Sequence, residues 1–173
     1  LLIPGIQNKS ICVTGAAGSI GGELVEQLKN LQPTKIVIID QNEHGLYLLN
    51  QRLQNLNTSV KVIPVLGSVN KKLFLEKIIS DYNVEIIFHA AAYKHVPLVE
   101  SNPLEGIANN VLSTKVLCEC ALICNLKKMI LVSTDKAVRP TNVMGASKRI
   151  AELIVQGYSN RDVFDDNENA KTK

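Results

Sequence analysis

The sequence has no stretch of about 18 consecutive apolar residues, the length a helix needs to span a bilayer. Its start, Leu1-Leu2-Ile3-Pro4-Gly5, lacks the charged leading segment and long apolar core of a signal peptide. An initiating Met is missing too, and the chain reads as a piece of something longer. Charge of one sign is scarce. The 19 Lys and Arg stand against 16 Asp and Glu, and the net charge of +3 is too small to imply a nucleic-acid partner. Cysteine is sparse: Cys12 lies in an apolar strand pattern, and Cys118, Cys120 and Cys124 share one expected helix. Their spacing, C-x-C-x-x-x-C, is not a usual zinc arrangement, and no His stands near them. They read as reduced thiols packed as small hydrophobes, and no metal site is expected. Internal repeats and low-complexity linkers are absent.

What is present is a domain-sized chain of 173 residues, 46% hydrophobic and 20% charged. That composition suits a soluble globular domain and excludes a disordered one. Short β-branched runs at residues 10–14, 35–40, 60–65, 84–89 and 128–133 alternate with stretches of helical spacing at 20–31, 43–56, 71–82, 103–125 and 142–158. Strands alternating with helices predict a parallel sheet with right-handed crossovers. The fold class expected is α/β, a Rossmann-like doubly wound sheet in the order 3-2-1-4-5. Residues 1–161 form one domain in this reading, and the polar tail 162–173 is expected to be loose or to lead into further sequence.

The first strand ends in Val13-Thr14-Gly15-Ala16-Ala17-Gly18-Ser19-Ile20-Gly21-Gly22. Glycines at 15, 18 and 21 give G-x-x-G-x-x-G between a strand and a helix, where a dinucleotide pyrophosphate would be bound. Gly15 permits the tight turn, Gly18 lets backbone approach the phosphates, and Gly21 lets helix and strand pack closely. The helix N-terminus would then face the phosphates with free N–H groups, and Ala17, Ser19 and Ile20 are counted among the cofactor-binding residues. Asp40 ends the second strand, after Ile36-Val37-Ile38-Ile39. A carboxylate there accepts from ribose hydroxyls and repels a 2′-phosphate, which favours NAD over NADP. Gly67, Ser68 and Val69 follow strand three and would lie against the adenine. Ala90, Ala91 and Ala92 follow strand four and leave room for the dinucleotide.

Strand five ends in Ser133-Thr134-Asp135-Lys136, and Met144 and Lys148 share a helix face just beyond. In open α/β sheets, ligands gather at the carboxyl ends of strands. A hydroxyl, an acid and an amine delivered together there exceed what packing requires.

These residues resemble the extended short-chain dehydrogenase/reductase superfamily, and more closely its CapD-like nucleotide-sugar dehydratases in polysaccharide biosynthesis. The likeness rests on Thr14–Gly21, on Phe88-His89-Ala90-Ala91-Ala92-Tyr93-Lys94-His95-Val96-Pro97, on Asn109-Asn110-Val111-Leu112-Ser113-Thr114, and on 133–149. It runs from about residue 9 to 159. The last block resembles UDP-N-acetylglucosamine 4,6-dehydratases of the larger, membrane-anchored kind. The resemblance implies that NAD takes hydride from C4 of the sugar, that water leaves across C5 and C6, and that the hydride returns to C6. It gives Thr134 to the 4-hydroxyl, Asp135 as acid at the C6 oxygen, Lys136 as base at C5 and Lys148 to the nicotinamide ribose. Asn110 and Ser133 fall at cofactor-binding positions, and Lys94 and His95 would face the UDP-N-acetylhexosamine.

Most short-chain dehydrogenases carry Tyr four residues before the active Lys, and here that place is Met144. The same replacement is usual in the large dehydratases; a thioether exchanges no proton, which leaves Asp135 or a water held by Lys148 as candidates to remove the 4-hydroxyl proton. A nucleotide-sugar epimerase and a non-catalytic dinucleotide sensor are the rival readings. The acid-and-base triplet 134–136 argues against the first, and retention of Asp135, Lys136 and Lys148 against the second. The family continues with two more strands and a small substrate-binding domain. This chain alone is therefore expected to be the inactive cofactor-binding core of a cytoplasmic domain, its parent held at the inner membrane. Helices 103–125 and 142–158 carry more apolar positions than one sheet face covers, which predicts a homo-oligomer. Strand five is left as an open edge that invites further pairing.

Overall fold

A computed structural model describes residues 5–54 and 60–170, with side chains as far as residue 160. The strands β1 (Ser10–Thr14), β2 (Lys35–Asp40), β3 (Lys61–Leu66), β4 (Ile86–His89) and β5 (Lys128–Leu131) form one sheet in the order β3-β2-β1-β4-β5. All pairs are parallel, with Ser10 beside Lys35, Lys35 beside Lys61, Ile11 beside Ile86 and Ile86 beside Lys128. The helices are α1 (Ser19–Lys29), α2 (Glu43–Gln54), α3 (Lys72–Asp81), α4 (Val96–Ser101), α5 (Pro103–Ile107), α6 (Ser113–Ile123) and α7 (Val143–Ala170).

The central strands are apolar without alternation because both faces are covered. Ile11, Val13, Ile36, Ile38 and Phe88 pack against Val25 and Leu28 of α1 and Leu46, Leu49 and Leu53 of α2. Their neighbours Cys12, Val37, Ile39 and Ile87 point the other way, onto Leu75, Ile78 and Ile79 of α3 and Leu117 and Cys120 of α6. Cys12, Cys118 and Cys120 are buried, and burial pushes their thiols up to about 12, 11 and 12. Asn8, Asn83 and Asn125 take left-handed backbone, with φ of 60°, 48° and 51°, in the loops leading into β1, β4 and β5. Asn tolerates that conformation better than most side chains.

Several boundaries differ from the sequence reading. The helix expected over 103–125 is broken by a π turn at Ala108–Leu112. Ser113 and Thr114 there donate their hydroxyls back to the carbonyls of Asn109 and Asn110, a pattern that bends helices. Helix α4 was not anticipated; Pro97 sits in its first turn, where a missing N–H costs nothing. The N–H of Val84 turns back to the carbonyl of Ile79, so β4 starts later than residue 84. β3 is shifted by one residue, and residues 55 and 56 of the expected second helix lie outside the described ones. Helix α7 runs past Tyr158 to Ala170, with no Gly or Pro between them to stop it. No described helix is long and apolar enough to cross a membrane.

Glu85 ties three strands together at the end of the sheet where the strands begin. Its carboxylate accepts from Lys127 at 2.5 Å, from Lys9 at 3.2 Å and from the Ser10 N–H at 3.2 Å. Chiefly the Lys127 bond, helped by Ser10 and Lys9, holds its carboxyl down at about 2, against an ordinary value of 4.5. A depressed folded pKa stabilises the fold above the unfolded value and loses that contribution as pH falls through the folded one. Urea midpoints of the unmodified protein should therefore drop more steeply between pH 4.5 and 2 than those of Glu85→Gln. Parallel pH dependence in the two proteins would refute this role.

Candidate active site

The turn after β1 is shaped by what its glycines lack. Gly15 has φ +70°, and a Cβ on it would lie 2.4 Å from the Ala91 nitrogen. A Cβ on Gly21 would lie 2.1 Å from the Gly15 carbonyl oxygen. Gly18 differs: its Cβ would meet only the Gly15 oxygen at 3.2 Å, and it is exposed to the cleft. Protein packing demands glycine at 15 and 21, whereas at 18 the missing side chain opens space for a ligand. Helix α1 starts at Ser19, and the N–H groups of a first turn have no acceptor within their own helix. Asp40 binds the loop directly. One carboxylate oxygen accepts from the Ala17 N–H and the other from the Asn42 N–H, each at 2.9 Å.

A cleft of about 450 Å³ runs along the carboxyl ends of the strands. Gly15, Ala17, Gly18, Ser19, Ile20, Gly21 and Asp40 line one part of it, with Gly67, Ser68 and Val69 beside them. Ala90, Ala91, Ala92 and Lys94 line the middle, and Ser133, Thr134, Lys136, Met144 and Lys148 the far part. Lys94 reaches back over the glycine turn and donates to the Ser19 hydroxyl at 2.8 Å.

Three expected site residues lie elsewhere. Asn110 is buried and spends its amide on the protein: its Oδ1 accepts from the Tyr93 N–H, and its Nδ2 donates to the Tyr93 carbonyl and the Ser147 hydroxyl. His95 precedes α4 and lines a neighbouring cavity of about 390 Å³ with Leu98, Asn102 and Glu105. Asp135 points to solvent with its side chain 86% exposed. The Thr134 hydroxyl and then Lys136 hold its carboxyl below the usual range, so it is a carboxylate here. Lys136 pairs with it at 3.4 Å.

Lys148 is 6% exposed and donates to the Val132 carbonyl at 2.7 Å. Burial lowers its proton affinity, and Glu152 opposes that. Met144 is also buried and presents a thioether to the cleft.

Two polar residues escaped the sequence reading of the site. Glu152 accepts from the Ser133 hydroxyl at 2.5 Å. His89 is buried at the end of β4, its Nδ1 2.7 Å from the Thr14 hydroxyl and its Nε2 3.2 Å from that of Thr114. Ser113 and Thr114 already donate to carbonyls, so Nε2 carries the ring proton and Thr14 donates to Nδ1. Burial, and then the Lys148 charge, push this imidazole down to about 3, so it is neutral. Its signal was a polar residue closing an otherwise apolar strand. Among the described residues, no group of three His, Cys, Asp or Glu side chains is placed to hold a metal ion.

The parallel sheet and its glycine turn define a Rossmann-like domain. Residues 11–171 match the polysaccharide biosynthesis protein family, and the chain belongs to it. It is 41% identical over 155 residues to the capsular polysaccharide biosynthesis protein CapD of Staphylococcus aureus, covering 89% of this chain and 26% of that protein. It is 33% identical over 153 residues to an inverting UDP-N-acetylglucosamine 4,6-dehydratase of Campylobacter jejuni, covering 88% and 44%. The chain thus spans less than half the length of these relatives. DesIV, a dTDP-glucose 4,6-dehydratase of Streptomyces venezuelae with NAD bound, shares the fold at a TM-score of 0.79 and 22% identity, over 87% of this chain and 52% of that one.

The position of Asp40 sets the expected preference. In calorimetric titration the protein should bind NADH more tightly than NADPH. Asp40→Ala should weaken NADH binding and narrow that preference, with Asp40→Asn intermediate because it keeps an acceptor for Ala17. Tighter NADPH in the unmodified protein would sink the assignment.

Proposed function

We propose that this chain is the cofactor-binding core of an NAD-dependent nucleotide-sugar 4,6-dehydratase acting on a UDP-N-acetylhexosamine in polysaccharide biosynthesis. One observation carries the reading: a single cleft joins a glycine phosphate turn and Asp40 to Thr134, Lys136, Met144 and Lys148. The resemblance of the block 133–149 and the Campylobacter relative support the substrate class.

NAD, when bound, supplies hydride acceptance and return. The protein's own groups would do the rest. The glycine turn and the first turn of α1 take the pyrophosphate, with Lys94 above them. Asp40 accepts from ribose hydroxyls through lone pairs left over from Ala17 and Asn42. Lys148 spends one N–H on Val132 and keeps two for the nicotinamide ribose. Thr134 meets the 4-hydroxyl, whose proton passes to the Asp135 carboxylate as hydride leaves C4. Lys136, as the free amine, removes the C5 proton, and Asp135 then gives its proton to the departing C6 oxygen, which leaves as water. Asp135 is an exposed carboxylate in this chain, so substrate and the remainder of the parent protein must bury it before it holds a proton. On that ground the chain alone is inactive. Met144 fills space and exchanges no proton. The parent, by its resemblance to the large dehydratases, is held at a membrane with this domain on the cytoplasmic side.

The test uses the complete protein with UDP-N-acetylglucosamine in deuterated water. A product that has lost water and carries one deuteron at C5 is expected. An altered sugar of unchanged mass would mean an epimerase, and no reaction a sensor. Lys136→Ala should then cost about 10²–10⁴-fold in rate with cofactor binding nearly intact. Met144→Leu should cost far less and disturb folding by under about 1.5 kcal/mol. Equal losses would overturn these roles.

Self-association is part of the proposal. Leu104 and Leu112, on the stretch from α5 to α6, are 81% and 50% exposed, and Leu153 on α7 is 50% exposed. Sedimentation of the complete protein should show a dimer or larger species, and a clean monomer at high concentration would contradict it.

A further inference from the structure

Glu152 lies four residues after Lys148 on α7, so the two share a helix face. Its side chain is only 22% exposed. One carboxylate oxygen accepts from the Ser133 hydroxyl and the other from Arg149 at 2.8 Å. Lys148 meanwhile donates to the carbonyl of Val132. Lys148 and Glu152 therefore grip two successive residues where the chain leaves β5. A serine hydroxyl has a single proton. Ser133 has spent its proton on Glu152, so it turns only lone pairs toward the cleft it lines.

We propose that Glu152 is a positioning residue of this cleft, which fixes Ser133 as a hydrogen-bond acceptor toward the ligand and supplies the counter-charge for the buried ammonium of Lys148. A ligand that suits such an acceptor carries an N–H donor beside its ribose, as a carboxamide does. That choice of ligand rests on the dinucleotide reading; the counter-charge does not. Other groups around Lys148 do not replace Glu152. His89 on β4 is neutral, Lys94 and Lys136 bring no negative charge, Arg149 is paired with Glu152, and Asp135 points to solvent. The pull of Glu152 on the Lys148 proton opposes the effect of burial.

The experiment is competitive acetylation of the complete, ligand-free protein across pH, with Lys148 followed by peptide mass spectrometry. Glu152→Gln keeps an acceptor for Ser133 but removes the charge. Lys148 in this variant should become reactive at lower pH than in the unmodified protein, whereas Ser133→Ala should leave its titration in place. Both Ser133→Ala and Glu152→Ala should weaken NADH binding by about fivefold, the cost of one hydrogen bond. Unchanged Lys148 titration in folded Glu152→Gln overturns the proposal. Should that variant fail to fold, Glu152→Asp keeps the charge and withdraws it from Ser133. Lys148 should then titrate close to its unmodified behaviour while NADH binding weakens, and the reverse pattern overturns the proposal. If the unmodified protein binds no NADH, the dinucleotide reading fails while the Lys148 titration still decides the counter-charge.

Discussion

Two missing methyl groups hold the cleft open. The backbone of the β1–α1 turn passes so close to itself at Gly21, and so close to Ala91 at Gly15, that no Cβ fits at either place. Because the turn folds this tightly, the first turn of α1 stands directly over the end of the sheet. Asp40 can then reach across from β2 and bind the turn at Ala17. Three chain segments meet at one spot, and the spot is concave and carries the first-turn N–H groups of α1. That combination suits a phosphate, since a helix start offers partial positive charge without bringing side chains of its own.

Behind the cleft, buried polar contacts join its two halves. Thr14, at the foot of the glycine turn, bonds His89; His89 bonds Thr114; Thr114 bonds the carbonyl of Asn110. The Asn110 side chain then reaches Tyr93 on one side and Ser147, next to Lys148, on the other. Each donor and acceptor in this chain of contacts has a partner, which is the condition under which buried polar groups rigidify a site. The π turn belongs to the same arrangement, because it turns Asn110 out of the regular helix ladder and into the gap between the loop after β4 and α7. Asn110 thus acts on the cleft from behind it.

The strands were legible because each is a short apolar run bounded by polar residues, and the order 3-2-1-4-5 followed from their alternation with helices. The glycine turn was legible because its spacing and its flanking elements agree. The break at Asn110 was hidden, since residues 103–125 keep helical spacing straight through it and only the hydroxyls of Ser113 and Thr114 disturb the ladder. Asn110 and His95 carry polar side chains in the right block, but a linear pattern cannot tell a group facing the cleft from one facing the protein. Asp135 shows the same limit: its place in the chain is as expected, yet its neighbours keep it an exposed carboxylate. Glu152 had a signal, four residues beyond Lys148, which becomes meaningful only once Ser133 is seen beside it.

The glycine turn is proposed to receive a dinucleotide. Gly21→Ala tests this most directly, because the added carbon must push the Gly15 carbonyl away from a separation of 2.1 Å and so distort the turn. Circular dichroism would establish that the variant is folded, and calorimetry would then read its affinity for NADH. A folded protein that has lost NADH binding is expected. A folded Gly21→Ala that binds NADH as tightly as the unmodified protein would contradict this role.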